Sequence, residues 1–124
     1  MRVLISYDPS MKGYLKALEW MLKQRGINGV GTTRVFEITE LMAVAKKVGA
    51  EAILLLNLKQ LKKLVGDPSP TLNAWAGSRI GTEVPCFVLD HPASIYRRND
   101  GQFIMGKHMD KIAKARVPAD TFKF

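Results

Sequence analysis

The sequence predicts an α/β domain of three layers, in which helices cover both faces of a four-stranded parallel sheet. Three observations lead there. Apolar, β-branched runs alternate with stretches of helical periodicity along the whole chain. The runs at 2–7, 52–56 and 84–89 are almost continuously apolar, as strands buried on both faces are. A chain of 124 residues also has room for one core, so residues 1–124 are read as one domain.

The elements follow in order. Residues 2–7 (RVLISY) read as the first strand, broken by Asp8, Pro9 and Ser10, with Ser10 placed to cap a helix. Met11, Leu15, Leu18 and Leu22 recur at helical spacing, and Gly26 supplies the stop. Residues 33–38 (TRVFEI) read as the second strand. Thr39 then caps a helix carrying Leu41, Val44, Ala45 and Val48, which ends at Gly49. Residues 52–56 (AILLL) are the third strand. It passes through Asn57 into a helix with Leu58, Leu61 and Val65 inward, closed by Gly66. Residues 67–83 are rich in turn formers and read as irregular. Residues 84–89 (VPCFVL) form the fourth strand, which Pro85 assigns to the sheet edge. A last helix carries Met105, Met109 and Ile112 and ends before Val117 and Pro118.

Composition narrows the class of function. No apolar run approaches the ~20 residues of a membrane helix, and the N-terminus lacks a signal-peptide pattern. The expectation is a cytoplasmic protein with no membrane partner. Cys86 is the sole cysteine and sits in an apolar run, which excludes an internal disulfide, a thiolate-only zinc site and a four-cysteine iron–sulfur cluster. No cofactor fingerprint is present, because DPSMKG after the first strand is not GxGxxG. Nineteen Lys and Arg against eleven Asp and Glu give a net charge of +8, the footprint expected of a phosphate-backbone binder.

In an open parallel sheet, ligands sit beyond the carboxyl ends of the strands. Tyr7 and Asp8, Asn57, and His91 fall at three such ends. An acid, an amide and an imidazole in one crevice orient water, read a base edge and stabilise a developing anion. Asp8, Asn57 and His91 are therefore the catalytic candidates. Each also has a purely structural reading: Asp8 as a turn residue, Asn57 as a helix cap, His91-Pro92 as a strand exit. The segment from His91 to Arg98 brings an imidazole, hydroxyls and two guanidiniums from one loop, suited to gripping phosphate. Lys59, Lys62 and Lys63 make a basic helix face, and Lys107, Lys111 and Lys114 another.

From Ala52 onward the pieces AILLLNLKQLKKLVG, WAGSRI and VPCFVLDHPASIYRRN resemble the uracil-DNA glycosylase superfamily, its family-four members above all. There a strand ends in a signature HPSxxxR or HPAxxxR. More weakly, ISYDPS stands where family-one members carry GQDPYH. The resemblance implies a sheet order 2-1-3-4. It implies that His91 donates to the uracil carbonyl oxygen and that Asp8 positions the attacking water. It also implies that Pro92 and Ser94, with Arg97, enter the minor groove while the nucleotide flips out. The chain departs from the family too. Tyr7 replaces the base-reading glutamine, and Ser10 the tyrosine that blocks thymine. The cluster cysteines are absent, and no aromatic is expected from the connection between the first two strands. This combination resembles the degenerate glycosylase-like domains of some bacteriophage DNA polymerases.

Three readings stay open at this point. The first is a catalytically impaired, DNA-binding glycosylase-fold domain working with a replication or repair enzyme, such as a phage DNA polymerase or an exonuclease. The second is an active minimal uracil-DNA glycosylase. The third is a flavodoxin-like small-molecule or protein-interaction module.

Overall fold

The computed structural model describes residues 1–34, 37–67, 69, 71–97 and 99–114. The first strand, β1 (Arg2–Tyr7), is buried from Val3 onward and is followed by a 3-10 helix (Pro9–Tyr14) and α1 (Leu15–Lys23). Next come β2 (Asn28–Thr33), α2 (Ile38–Lys47), β3 (Ala52–Leu56) and α3 (Leu58–Val65). The remainder comprises a short α4 (Leu72–Trp75), β4 (Arg79–Ile80), β5 (Cys86–Val88), a short α5 (Ser94–Arg97) and α6 (Gly101–Lys114).

The sheet runs β2-β1-β3-β5-β4. Its first four members pair in parallel, and β4 lies antiparallel on β5. The α/β class stands, but the sheet has five strands and is mixed, not four and parallel. The added strand comes from the stretch read as irregular. Two residues are too few to show periodicity, yet Gly77 N–H donates to the Val88 carbonyl (2.8 Å) and Val88 N–H to the Ser78 carbonyl (3.0 Å). Consequently β5 is not the sheet edge. Pro85 stands just before it, where its missing N–H costs nothing and its carbonyl accepts from Ile53 N–H at 2.8 Å.

The second strand is also displaced. It occupies Asn28–Thr33, not 33–38, although TRVFEI has the stronger β propensity. Pairing with β1 decides the matter. Residues 28–33 form a parallel ladder with β1, and a Cβ on Gly29 or Gly31 would meet only ordinary contacts there, at 3.4 Å from Ile5 Cδ1 and 3.6 Å from Leu4 Cδ1. Residues 35–36 lie outside the described residues, and Ile38 already opens α2.

Two caps differ from expectation as well. Asp8, not Ser10, caps the 3-10 helix, accepting from Ser10 N–H at 2.9 Å. Glu37, not Thr39, precedes α2 as its N-cap residue. The expected stops hold: Gly26, Gly49 and Gly66 all have φ near +70°.

All five residues of β3 are buried, which requires cover on both faces of the sheet. Leu18, Leu22, Met105, Met109 and Ile112 of α1 and α6, and Leu41, Ala45 and Leu61 of α2 and α3, provide it. A side-chain hydrogen bond also lies inside this core. The Ser6 hydroxyl donates to Gln60 Oε1 at 2.5 Å, both fully buried, and ties α3 to β1.

Candidate nucleic-acid interface

The order of the strands locates the crevice. From β1 the chain moves to β2 on one side, and from β3 to β5 on the other. With right-handed crossovers the winding therefore reverses between β1 and β3. The residues beyond their carboxyl ends are Asp8 and Asn57. Register makes them neighbours, because Tyr7 pairs with Leu56. Leu55 pairs with Val88 in turn, which brings the β5 exit, Asp90 and His91, to the same edge. The three sequence-predicted candidates thus share one rim of the sheet.

Their hydrogen bonds define what each can do. Asp8 Oδ1 is engaged by Ser10 N–H. The Ser10 backbone and hydroxyl, then the cations of Lys59 and His91, hold this carboxyl below the usual carboxylate range, against a small opposing effect of burial. Asp8 is ionised at neutral pH and is a weak base. Asn57 Oδ1 accepts from Lys59 N–H (3.1 Å) and Gln60 N–H (3.3 Å), capping α3. Its amide nitrogen has no hydrogen-bond partner among the described residues, although the residue is only 6% exposed. His91 Nδ1 accepts from Ala93 N–H at 3.1 Å, which leaves the proton of the neutral ring on Nε2. Burial first, then the Arg97 guanidinium, push the imidazole below its ordinary pKa, against the pull of Asp8. A neutral ring with its donor on Nε2 is the form that stabilises an oxyanion by donation.

The same rim is aromatic. Tyr14, the last residue of the 3-10 helix, meets the His91 ring edge-to-face at 6.3 Å and the Tyr96 ring at 5.8 Å. Tyr96 is 65% exposed. This corrects the expectation that the connection after β1 brings no aromatic to the site. The available signal was an aromatic in an otherwise polar segment, six residues beyond Asp8. Behind the rim, Asp90 is buried and its Oδ1 lies 2.7 Å from His108 Nδ1, a link from α6 to the residue preceding His91 that sequence reasoning missed.

The expected nucleic-acid-binding residues separate. Arg97 ends α5 beside His91 and is exposed. Pro92 and Ala93 are buried, so Pro92 shapes the turn from within. Arg98 and the Ser94 side chain lie outside the described residues, as do Val117, Pro118 and the rest of the C-terminal segment 115–124. On α3, Lys59 sits within electrostatic reach of Asp8, Lys62 is half-buried, and Lys63 is ion-paired with Glu37 at 2.9 Å. Those three lysines are not one free cationic face. Burial pushes the Cys86 thiol up to about 11, so it stays protonated and inert in the core. Among the described residues, no helix is long and apolar enough to cross a membrane, and no cluster of three or more His, Cys, Asp or Glu has the arrangement to hold a metal ion.

No family model matches the chain, and no functionally characterised protein matches it at a significant level. What it does must be argued from this rim.

Proposed function

We propose that the chain is a DNA-binding domain of glycosylase-like design, weak or inactive in base excision, which works alongside a replication or repair enzyme such as a phage polymerase. The observation that carries the reading is the meeting of Asp8, Asn57 and His91 at the reversal point of the sheet, with exposed Tyr96 and Arg97 beside them. Cation, flat ring and hydrogen-bond donors on one rim suit a nucleotide: phosphate to Arg97, a base face to tyrosine, a carbonyl oxygen to His91 Nε2. The net charge of +8 favours a polyanion over a small neutral ligand.

Impairment follows from how the polar groups are spent. Asp8 and Asn57 both commit a side-chain oxygen to capping a helix, and the depressed pKa of Asp8 makes it a poor proton acceptor. Tyr14 against His91 favours the second reading, an active uracil-DNA glycosylase, because it supplies an aromatic at the place where a flipped base would stack. One assay separates the two. Purified protein incubated with a uracil-containing oligonucleotide is expected to release little or no uracil while still binding the strand. Robust release, lowered by His91→Ala by about 100-fold or more, makes the active reading correct. Failure to bind any oligonucleotide at low salt removes both.

A further inference from the structure

The rim is not the only place where flat rings stand in water. Trp20 on α1 and Phe103 on α6 are 59% and 66% exposed, and together with Tyr96 they are the large exposed apolar side chains among the described residues. They line one open groove of about 380 Å³ between the two helices, with Met21, Gln24, Arg25 and Gln102 as its other walls. Arg25 is fixed there. Its Nε bonds Asp110 at 2.8 Å and its NH1 the Met21 carbonyl at 2.8 Å. Its NH2 lies so near α6 that a Cβ on Gly106 would approach it to 2.6 Å. Lys107 Nζ stands 4.8 Å over the Phe103 ring. Lys16 and Lys23, four residues before Trp20 and three after it, share its helix face and are exposed. Asp110, the acid that holds Arg25, is not one of the groove's walls, and Glu19 is the exposed acid next to Trp20.

We infer that this α1/α6 seam is a second nucleic-acid contact, which takes a single-stranded tract by stacking its bases on Trp20 and Phe103. The inference rests on the nucleic-acid reading above and extends it away from the rim. Charge selects the occupant: the two rings are flanked by the exposed Lys16, Lys23 and Lys107, a surface for a polyanion. Ring geometry selects its form, because the bases of a duplex have their faces occupied by stacking, whereas those of a single strand are free to lie on aromatic side chains. The seam also leads from the rim. Tyr14 caps α1 and touches Tyr96, and Trp20 follows six residues later, about 9 Å along the helix. Six residues turn the helix by about 600°, so Trp20 stands about 120° round α1 from Tyr14, and a strand passing from His91 to the seam crosses the helix obliquely.

The test uses the full chain, an oligothymidylate of about twelve nucleotides and a hairpin duplex of mixed sequence. In a Trp75→Phe background, Trp20 is the only tryptophan. Its fluorescence is expected to be quenched by the oligothymidylate. The double variant Trp20→Ala/Phe103→Ala is expected to lose about 30-fold or more in affinity for that strand and less than about twofold for the duplex. Phe103→Ala alone retains the Trp20 reporter and serves if the double variant does not fold. Unquenched Trp20 with single-strand affinity unchanged in the variants overturns the seam and leaves the proposed function standing. Self-association that disappears in the double variant while strand binding persists makes the seam a contact between copies, and also overturns it. Absence of binding to both nucleic acids overturns the proposed function, and the seam with it.

Discussion

His91 shows how one residue couples stability to its chemistry. The neutral ring keeps Nδ1 occupied by the Ala93 N–H, and protonation there breaks that bond and places charge in a partly buried spot beside Arg97. The folded pKa is therefore below the unfolded one. Between the two values the unfolded chain binds more protons, so stability rises with pH. The contribution is complete above the ordinary imidazole value of about 6.5 and is lost as pH falls below it. Denaturant titrations from neutral to mildly acid pH are expected to show this decline, and His91→Gln is expected to flatten it. An NMR titration of His91 with a midpoint at or above the ordinary value would contradict the sign. At this scale much was legible in the sequence. Asp8, Asn57 and His91 were recognisable because each follows an apolar run. Tyr14 and the Asp90–His108 pair were not, because an edge-to-face ring contact and a bond spanning 18 residues depend on the packing of separate elements.

Among the elements, helix stops were the most readable features and strand edges the least. Gly66 ends α3 at φ +73° with nothing within 4 Å of where a Cβ would stand, so its backbone conformation alone makes glycine the favoured residue. Gly66→Ala is accordingly expected to cost about 1–2 kcal/mol in chemical unfolding, with the fold retained. A neutral result would mean that the turn relaxes into a right-handed cap. The misplaced β2 is the instructive case. TRVFEI has the local preference and NGVGTT has the partner, because it pairs in parallel with β1, from Asn28 opposite Arg2 to Thr33 opposite Ser6. The rule that places glycine outside strands fails where pairing with a neighbouring strand outweighs local propensity.

For the molecule as a whole, net charge is a better guide than any single basic residue. Pairing removes part of the apparent surplus on the helices: Lys46 with Glu83, Lys63 with Glu37 and Arg25 with Asp110. On the proposed nucleic-acid reading, the remaining cations act together on the phosphates and are screened together. Affinity for duplex DNA is expected to fall steeply with added salt, with a log–log slope of about −0.9 per phosphate neutralised. Filter binding or fluorescence anisotropy across a salt series measures it, and an affinity indifferent to salt would exclude phosphate as the ligand. The parallel order of the main strands was legible because apolar runs and helical segments alternate. The antiparallel β4 was not, since its pairing is set by the return of the chain after Trp75.

The interior position of β1 has a kinetic consequence. β1 precedes the other strands of this sheet in the chain, yet it lies between two of them, and Ser6 pairs with Leu55, 49 residues away. It finds β2 early, but its other edge stays open until β3 has emerged. Closure of the apolar core also waits for Met105, Met109 and Ile112 of α6. With no tight hairpin joining the parallel strands, each pairing demands closure of a long loop, which slows folding relative to helical bundles. A ribosome-bound chain halted between β3 and α6 would present an unpaired, leucine-rich edge, the kind of surface that aggregates or recruits chaperones.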